Sequence, residues 1–224
     1  MHMNEKWKLP FGLCWRGVWS AALIIACQMV SYVIGQQVVH LFGLPTHTLA
    51  LAWDEQIPFV PAFLVPYLGC FVHWLVTFYL IAGKEQRFAR FFTAAVAGYG
   101  VSMLVFILWP TTIQRPDPQA AGWWGWLYAM VCGVDQPLNL FPSVHCFAAW
   151  MCYLGVRGQK DIAAWFRWFT LALAVVVFTS TVLVKQHYLL DIAGGVALAQ
   201  ICWLLAGWEP LHSLGRRVAR ALPQ

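Results

Sequence analysis

A chain of 224 residues in which 61% are hydrophobic and only 10% charged cannot cover a water-facing surface, for which a soluble domain uses about 25% charged residues. Those numbers exclude a soluble globular enzyme and a nucleic-acid-binding module, and they leave an integral membrane protein. The formal charge of +5, from 14 Lys and Arg against nine Asp and Glu, is informative through its placement along the chain.

Lys6, Lys8 and Arg16 precede the first apolar run, as in a signal peptide, and "IIAC" ending at Cys27 looks like a lipoprotein cleavage site. The run continues through "QMVSYVIG", where a mature lipoprotein would start a polar tether. An uncleaved first membrane helix is therefore expected. A membrane span needs roughly 20 mostly apolar residues. Six segments meet or approach that length: 18–42, 59–82, 91–109, 141–157, 163–184 and 187–207. The Trp-rich stretch 122–134, "GWWGWLYAMVCGV", is too short to span and suits a helix lying in the interface. The expected fold is all-α: one domain over 1–224, a six-helix membrane bundle capped by that helix on the extracytoplasmic face. The seven cysteines are scattered without a CxxC or metal-ligand spacing. A Cys132–Cys146 bridge is the one pairing considered, and it is disfavoured.

Six spans put both termini and the loops near 84–90 and 157–163 on one side. That side carries Lys6, Lys8, Arg16, Lys84, Arg87, Arg90, Arg157, Lys160, Arg167, Arg216, Arg217 and Arg220, twelve of the fourteen basic residues. The positive-inside rule makes it cytoplasmic. Arg115 and Lys185 are the two cations left on the other side.

Three polar clusters fall at that outer boundary. "WPTTIQRPDP" follows the third span and holds Arg115; "DQPLNLFPSVH" enters the fourth and holds Asp135, Asn139, Ser143 and His145. "STVLVKQHYLLD" joins the last two spans and holds Ser180, Lys185, His187 and Asp191. The chemistry suits a phosphate ester. Arg115 offers a planar fork of donors and Lys185 a compact charge. Ser143 sits near a helix N-terminus, where free N–H groups favour an anion. His187 and Asp191, four apart on one helix face, form a base and its orienter. An imidazole so held can attack phosphorus, and His145 can protonate the leaving oxygen and then activate water. Taken singly each residue has a structural reading: a hydrogen-bonded His, a snorkelling Lys, a loop Arg-Pro, an N-cap Ser. Taken together, ionisable residues within a membrane protein mark function. His40, His47, His73 and His212 lack such company and are read as structural.

The three clusters resemble the motifs of the phosphatidic-acid-phosphatase type 2 superfamily, the membrane relatives of vanadium haloperoxidases. "RP" at Arg115–Pro116 looks like its first motif and "PSVH" at Pro142–His145 its second. Ser180 with "HYLLD" at His187–Asp191 looks like the third. "NLFPSVH" with "KQHYLLD" is most similar in style to the branch that includes inositol-phosphorylceramide synthases. The resemblance implies a phosphohistidine on His187, with Asp191 orienting it and His145 as acid–base. Arg115, Ser143 and Lys185 would hold the phosphate, with Ser180, Asn139 and Asp135 in support. It implies no cofactor and no metal. Two family cations are absent: their positions fall on Leu108 and Thr181.

The expected function is hydrolysis of a lipid phosphate or diphosphate at the outer face of a bacterial-type inner membrane. The partners are the bilayer and that lipid, with no nucleic acid. Two rivals stand beside it. One is a lipid phosphotransferase or head-group synthase that passes the phosphoryl-containing group to an alcohol. The other is a non-enzymatic transporter or scaffold that binds an anion.

Overall fold

Every long apolar run in the sequence becomes a helix, because a chain with so few charges can satisfy its backbone groups in hydrocarbon only within its own helices. The computed structural model describes residues 15–222 and contains no strand among them. In chain order the helices are α1 (Trp15–Phe42), α2 (Ala52–Gln56), α3 (Leu64–Ile81), α4 (Glu85–Leu108), α5 (Gly125–Val134), α6 (Val144–Val156), α7 (Ala164–Leu183), α8 (Leu189–Leu205) and α9 (Glu209–Ala221). A 3-10 turn at Pro61–Phe63 leads into α3, and a kinked 3-10 segment at Pro118–Trp124, broken at Gly122, leads into α5.

Each of the six expected spans holds a helix, yet the helices are not equivalent. Four are long and apolar enough to cross a bilayer: α1, α3, α4 and α7. Helix α8 has 17 residues, and it reaches spanning length only when counted with α9, from which it is bent by 90°. Helix α6 has 13 residues and packs against α3, α4, α7 and α8. Phe147, Ala148, Met151, Cys152, Leu154 and Val156 are all buried. An apolar helix of that length enclosed by others is a core helix, and it needs no spanning length because its sides meet protein. By contrast α3 and α7 turn Val65, Val72, Leu75, Val175 and Val176 outward, as lipid-facing sides do. Helix α5 forms within the expected 122–134 segment and exposes Trp126 and Met130. Cys132 and Cys146 are free thiols.

Helix α9 was not among the expected elements. Its signal is Glu209-Pro210 at the start and Arg216, Arg217 and Arg220 toward the end, which suits both the Pro-tolerant first turn and the dipole. It packs on α4, where a Cβ at Gly215 would stand 2.2 Å from the Ala89 carbonyl oxygen.

The basic residues at this end of the bundle are partly structural. Arg87 is buried, donates to the carbonyls of Ile81 (3.1 Å) and Leu80 (2.6 Å) at the end of α3, and pairs with Asp161 at 2.9 Å. Arg90 donates to the Trp203 carbonyl (3.0 Å) near the end of α8 and lies 4.5 Å over that indole ring. Two helix C-termini, where carbonyls lack partners and the dipole is negative, are thereby capped by guanidinium groups. Lys84 reaches Asp161 as well, at 3.1 Å. The start of α4 and the 157–163 loop therefore meet at one end of the molecule.

Candidate active site

The turn between α7 and α8 is built to present His187. Helix α7 ends at Leu183, and the chain reverses through Lys185 in the left-handed region, φ +53°. The Thr181 carbonyl accepts from the backbone N–H of both Gln186 (2.9 Å) and His187 (3.1 Å). Helix α8 then starts under two carboxylates. Asp191 Oδ2 accepts from Tyr188 N at 2.8 Å, and Asp54 Oδ1 from Leu189 N at 2.9 Å. Acidic groups in that position complement free N–H groups and the positive dipole end. Asp191 has a second task, since Oδ2 also lies 3.4 Å from His187 Nδ1. That separation is long for a hydrogen bond; contacts of this kind in unliganded sites tighten when substrate arrives. Nδ1 of His187 and Oδ1 of Asp191 have no other partner among the described residues.

Helix α6 brings His145. Ser143 is its N-cap, with Oγ accepting from Cys146 N at 3.3 Å. Ser143 N donates to the Asp191 carbonyl at 3.0 Å, which stitches the first turn of α8 to the entry of α6. Gly195 permits that approach: a Cβ there would stand 2.4 Å from the Ser143 carbonyl oxygen. The result is a T-shaped pair of imidazoles, His145 and His187, with ring centroids 5.9 Å apart. His145 is stacked on Tyr67 at 4.5 Å and edged by Phe71, and its Nε2 is buried without a partner. A buried polar atom left unpaired is rare enough to require a reason.

Both imidazoles line one chamber of about 250 Å³ between α1, α3, α5 and the α5–α6 connection. Met29, Leu68, Phe71, Met130, Val131 and Leu140 make much of its wall apolar. Arg115 and Asp135 stand on the polar side. Arg115 donates through Nη1 to the Asp135 carbonyl, and its Nη2 lies 3.9 Å from Asp135 Oδ2. Tyr32 donates to Asp135 Oδ1, and Tyr67 donates to Oδ2 at 2.9 Å. Asn139, buried with φ +62°, donates through Nδ2 to the Tyr32 carbonyl at 3.0 Å.

The remaining expected residues sit differently. Ser143 is fully buried, off the chamber wall, with its hydroxyl engaged in the cap. Lys185 donates to the carbonyls of Asp54 (3.0 Å) and Ile57 (2.6 Å). Together with Arg115, Thr48, Glu55 and Tyr188 it lines a separate polar recess of about 660 Å³. Ser180 is buried and donates to the Val177 carbonyl. Leu108, 79% exposed, faces outward, and Thr181 is buried and donates to Phe178 O. Tyr32, Tyr67 and Gln186, which line the chamber, went unrecognised in the sequence. Tyr32 and Tyr67 lie in apolar contexts without a motif, Gln186 sits inside "KQHYLLD" between two more conspicuous residues, and only the fold sets all three on the chamber wall. Among the described residues no three His, Cys, Asp or Glu side chains gather as metal ligands.

Two substitutions test this construction. Ser143→Ala is expected to lower stability by about 1 kcal/mol through loss of the cap, read as an earlier thermal unfolding in detergent. Gly195→Ala is expected to cost about 1–3 kcal/mol by overpacking and to slow turnover as well, because α6 and α8 carry the two histidines. Unchanged melting in both variants would contradict the packing described.

No curated protein and no solved structure matches the chain. The model of the PAP2 superfamily matches residues 47–205, well over half of it. The matched segment encloses Arg115, His145, His187 and Asp191, the residues that the fold gathers around one chamber, and the chain belongs to the PAP2 superfamily.

Proposed function

We propose that this protein is a membrane lipid phosphatase that hydrolyses a lipid phosphate or diphosphate through a phosphohistidine on His187. Membership of the PAP2 superfamily supports a phosphatase- or phosphotransferase-type activity in general. The observation that carries the finer reading is the pair of imidazoles 5.9 Å apart on a common chamber wall, one backed by a buried carboxylate.

In the first half-reaction His187 Nε2 attacks phosphorus while the bond to the lipid oxygen breaks, and protonated His145 gives its proton to that oxygen. Asp191, behind Nδ1, fixes the tautomer and stabilises the positive charge that develops on the ring. Arg115 faces the equatorial oxygens, where charge accumulates. In the second half-reaction His145 takes a proton from water, the water oxygen attacks phosphorus, and the N–P bond breaks to return His187 and phosphate. The apolar wall suits acyl or prenyl chains. The distribution of basic residues supports an active site on the extracytoplasmic side with both termini inside, and the Trp-rich stretch 122–134 then lies at that interface.

A second reading, transfer to an alcohol, draws support from the polar recess that shares Arg115 with the chamber and offers a water-soluble acceptor a place beside it. Purified protein incubated with labelled lipid phosphates, with and without acceptor alcohols, separates the two. Free phosphate as the main product is the expected result. A new phospholipid with only traces of phosphate would replace hydrolysis by transfer.

A further inference from the structure

The charge inside the chamber bears on which form of phosphate ester it takes, a question that rests on His187 and His145 being the phosphoryl-transfer residues. Arg115 is the only Lys or Arg on the chamber wall among the described residues. Its guanidinium is not free to meet a phosphate alone, because Nη2 lies 3.9 Å from Asp135 Oδ2 and Nη1 donates to the carbonyl of the same residue. Tyr32 from α1 and Tyr67 from α3 each donate a hydroxyl to that carboxylate, so Asp135 is held on the wall from three directions.

The chamber thus pairs one cation with one anion, and a second carboxylate, Asp191, stands behind His187. Asn139 Oδ1 and Gln186 Oε1 are buried without a partner, on residues 2% and 1% exposed. Their orientation is fixed, because Asn139 Nδ2 donates to Tyr32 O at 3.0 Å and Gln186 Nε2 to Val184 O at 3.3 Å. No other Lys or Arg lies on the wall among the described residues, and the proton on His145 is spent on the leaving oxygen. The ammonium of Lys185 is held on the carbonyls of Asp54 and Ile57.

We infer that Asp135 is a specificity-determining residue that restricts the chamber to singly charged phosphate esters. Those are phosphodiesters, or monophosphate esters that carry one proton, so the multiply charged lipid diphosphates drop out of the substrates proposed above. A doubly charged phosphate would bring a second negative charge beside a fixed carboxylate, between largely apolar walls. At an effective dielectric near 20, one such repulsion over a few ångströms is worth roughly tenfold or more in binding. The chemistry is the same for either ester. His187 forms the N–P bond as the bond to the lipid oxygen breaks, and that oxygen leaves with the His145 proton.

The test compares dioctanoyl phosphatidate, a monoester, with dioctanoyl phosphatidylglycerol, a diester, by release of dioctanoylglycerol from the purified protein across pH. The second ionisation of a phosphate monoester lies near pH 6, whereas the diester keeps one charge throughout. The monoester-to-diester ratio of kcat/KM should therefore fall about tenfold or more between about pH 5.5 and pH 7.5. Arg115, Tyr32 and Tyr67, with His145 and His187 on the same wall, are the ionisable groups around Asp135, and the ratio cancels whatever pH dependence of the protein acts on both substrates alike. Asp135→Asn should raise that ratio at pH 7.5 roughly tenfold and flatten its pH dependence, while Asp135→Glu should keep the wild-type ratio.

A ratio that stays flat with pH in the wild-type protein overturns the inference and leaves phosphoryl transfer in place, and that measurement needs no variant to fold. An active Asp135→Asn with the wild-type ratio overturns it equally. Release of dioctanoylglycerol from neither ester would instead remove the phosphoryl-transfer reading, and this inference with it.

Discussion

His187→Ala is expected to abolish turnover, by about five or six orders of magnitude, as loss of a nucleophile does in enzymes with a covalent intermediate. With it should go the acid-labile phosphate label that rapid quenching of the wild-type protein with labelled substrate leaves on the chain. The size of the effect follows from geometry. Nδ1 of His187 lies 3.4 Å from Asp191 Oδ2, which leaves the other ring nitrogen for the chamber that His187 lines. His145 is unsuited to take over, because it has no carboxylate partner, its ring face is stacked on Tyr67, and its Nε2 is buried. The variant should remain folded. The side chain removed makes no hydrogen bond on which another element depends, and the backbone bond from His187 N to the Thr181 carbonyl persists. Size-exclusion elution in detergent checks that point. Labelling or turnover retained in a folded His187→Ala protein would end the nucleophile assignment.

Asp191→Asn should slow turnover by roughly 10²–10⁴-fold, the upper end being the loss seen when an orienting carboxylate becomes an amide in Ser-His-Asp enzymes. An amide withdraws the negative charge that stabilises the positive charge developing on the attacking and phosphorylated imidazole. Stability should change less than activity, because the asparagine Oδ1 can still accept from Tyr188 N in the role that Asp191 Oδ2 fills at 2.8 Å. Asp191→Ala is the contrasting variant. It loses the capping acceptor as well, so unfolding at lower temperature should accompany its inactivity, by about 1 kcal/mol. Equal melting temperatures for the two variants would show that Asp191 does not cap α8. Equal activities for Asp191→Asn and the wild-type protein would show that it does not orient His187.

Much of the helical plan was legible in the sequence because hydrophobic runs of spanning length have few alternatives to a helix in lipid. Helices α1, α3, α4 and α7 fall on the expected segments. The sixth expected segment contains α8, which alone is shorter than a span. The fourth reads as a short span with a polar start, whereas its helix is a 13-residue core element. Composition cannot separate those cases, since an apolar residue looks the same whether it faces a lipid or another helix. Helix α9 was overlooked because its stability comes from packing on α4 rather than from apolar length.

By itself, the sequence determined the chemistry on offer: two histidines, one with a carboxylate four residues on, and an arginine and a lysine left on the face that other cations avoid. Helical spacing alone places His187 beside Asp191. Tertiary structure decided which of these groups meet. It brought His145 to His187 across 42 residues of chain and turned Lys185 onto the carbonyls of Asp54 and Ile57. It also drew Tyr32 and Tyr67 out of apolar helices to hold Asp135 against Arg115. The reason is physical. Local spacing fixes neighbours on one helix, whereas the partners of a buried polar group across helices are set by how the bundle closes.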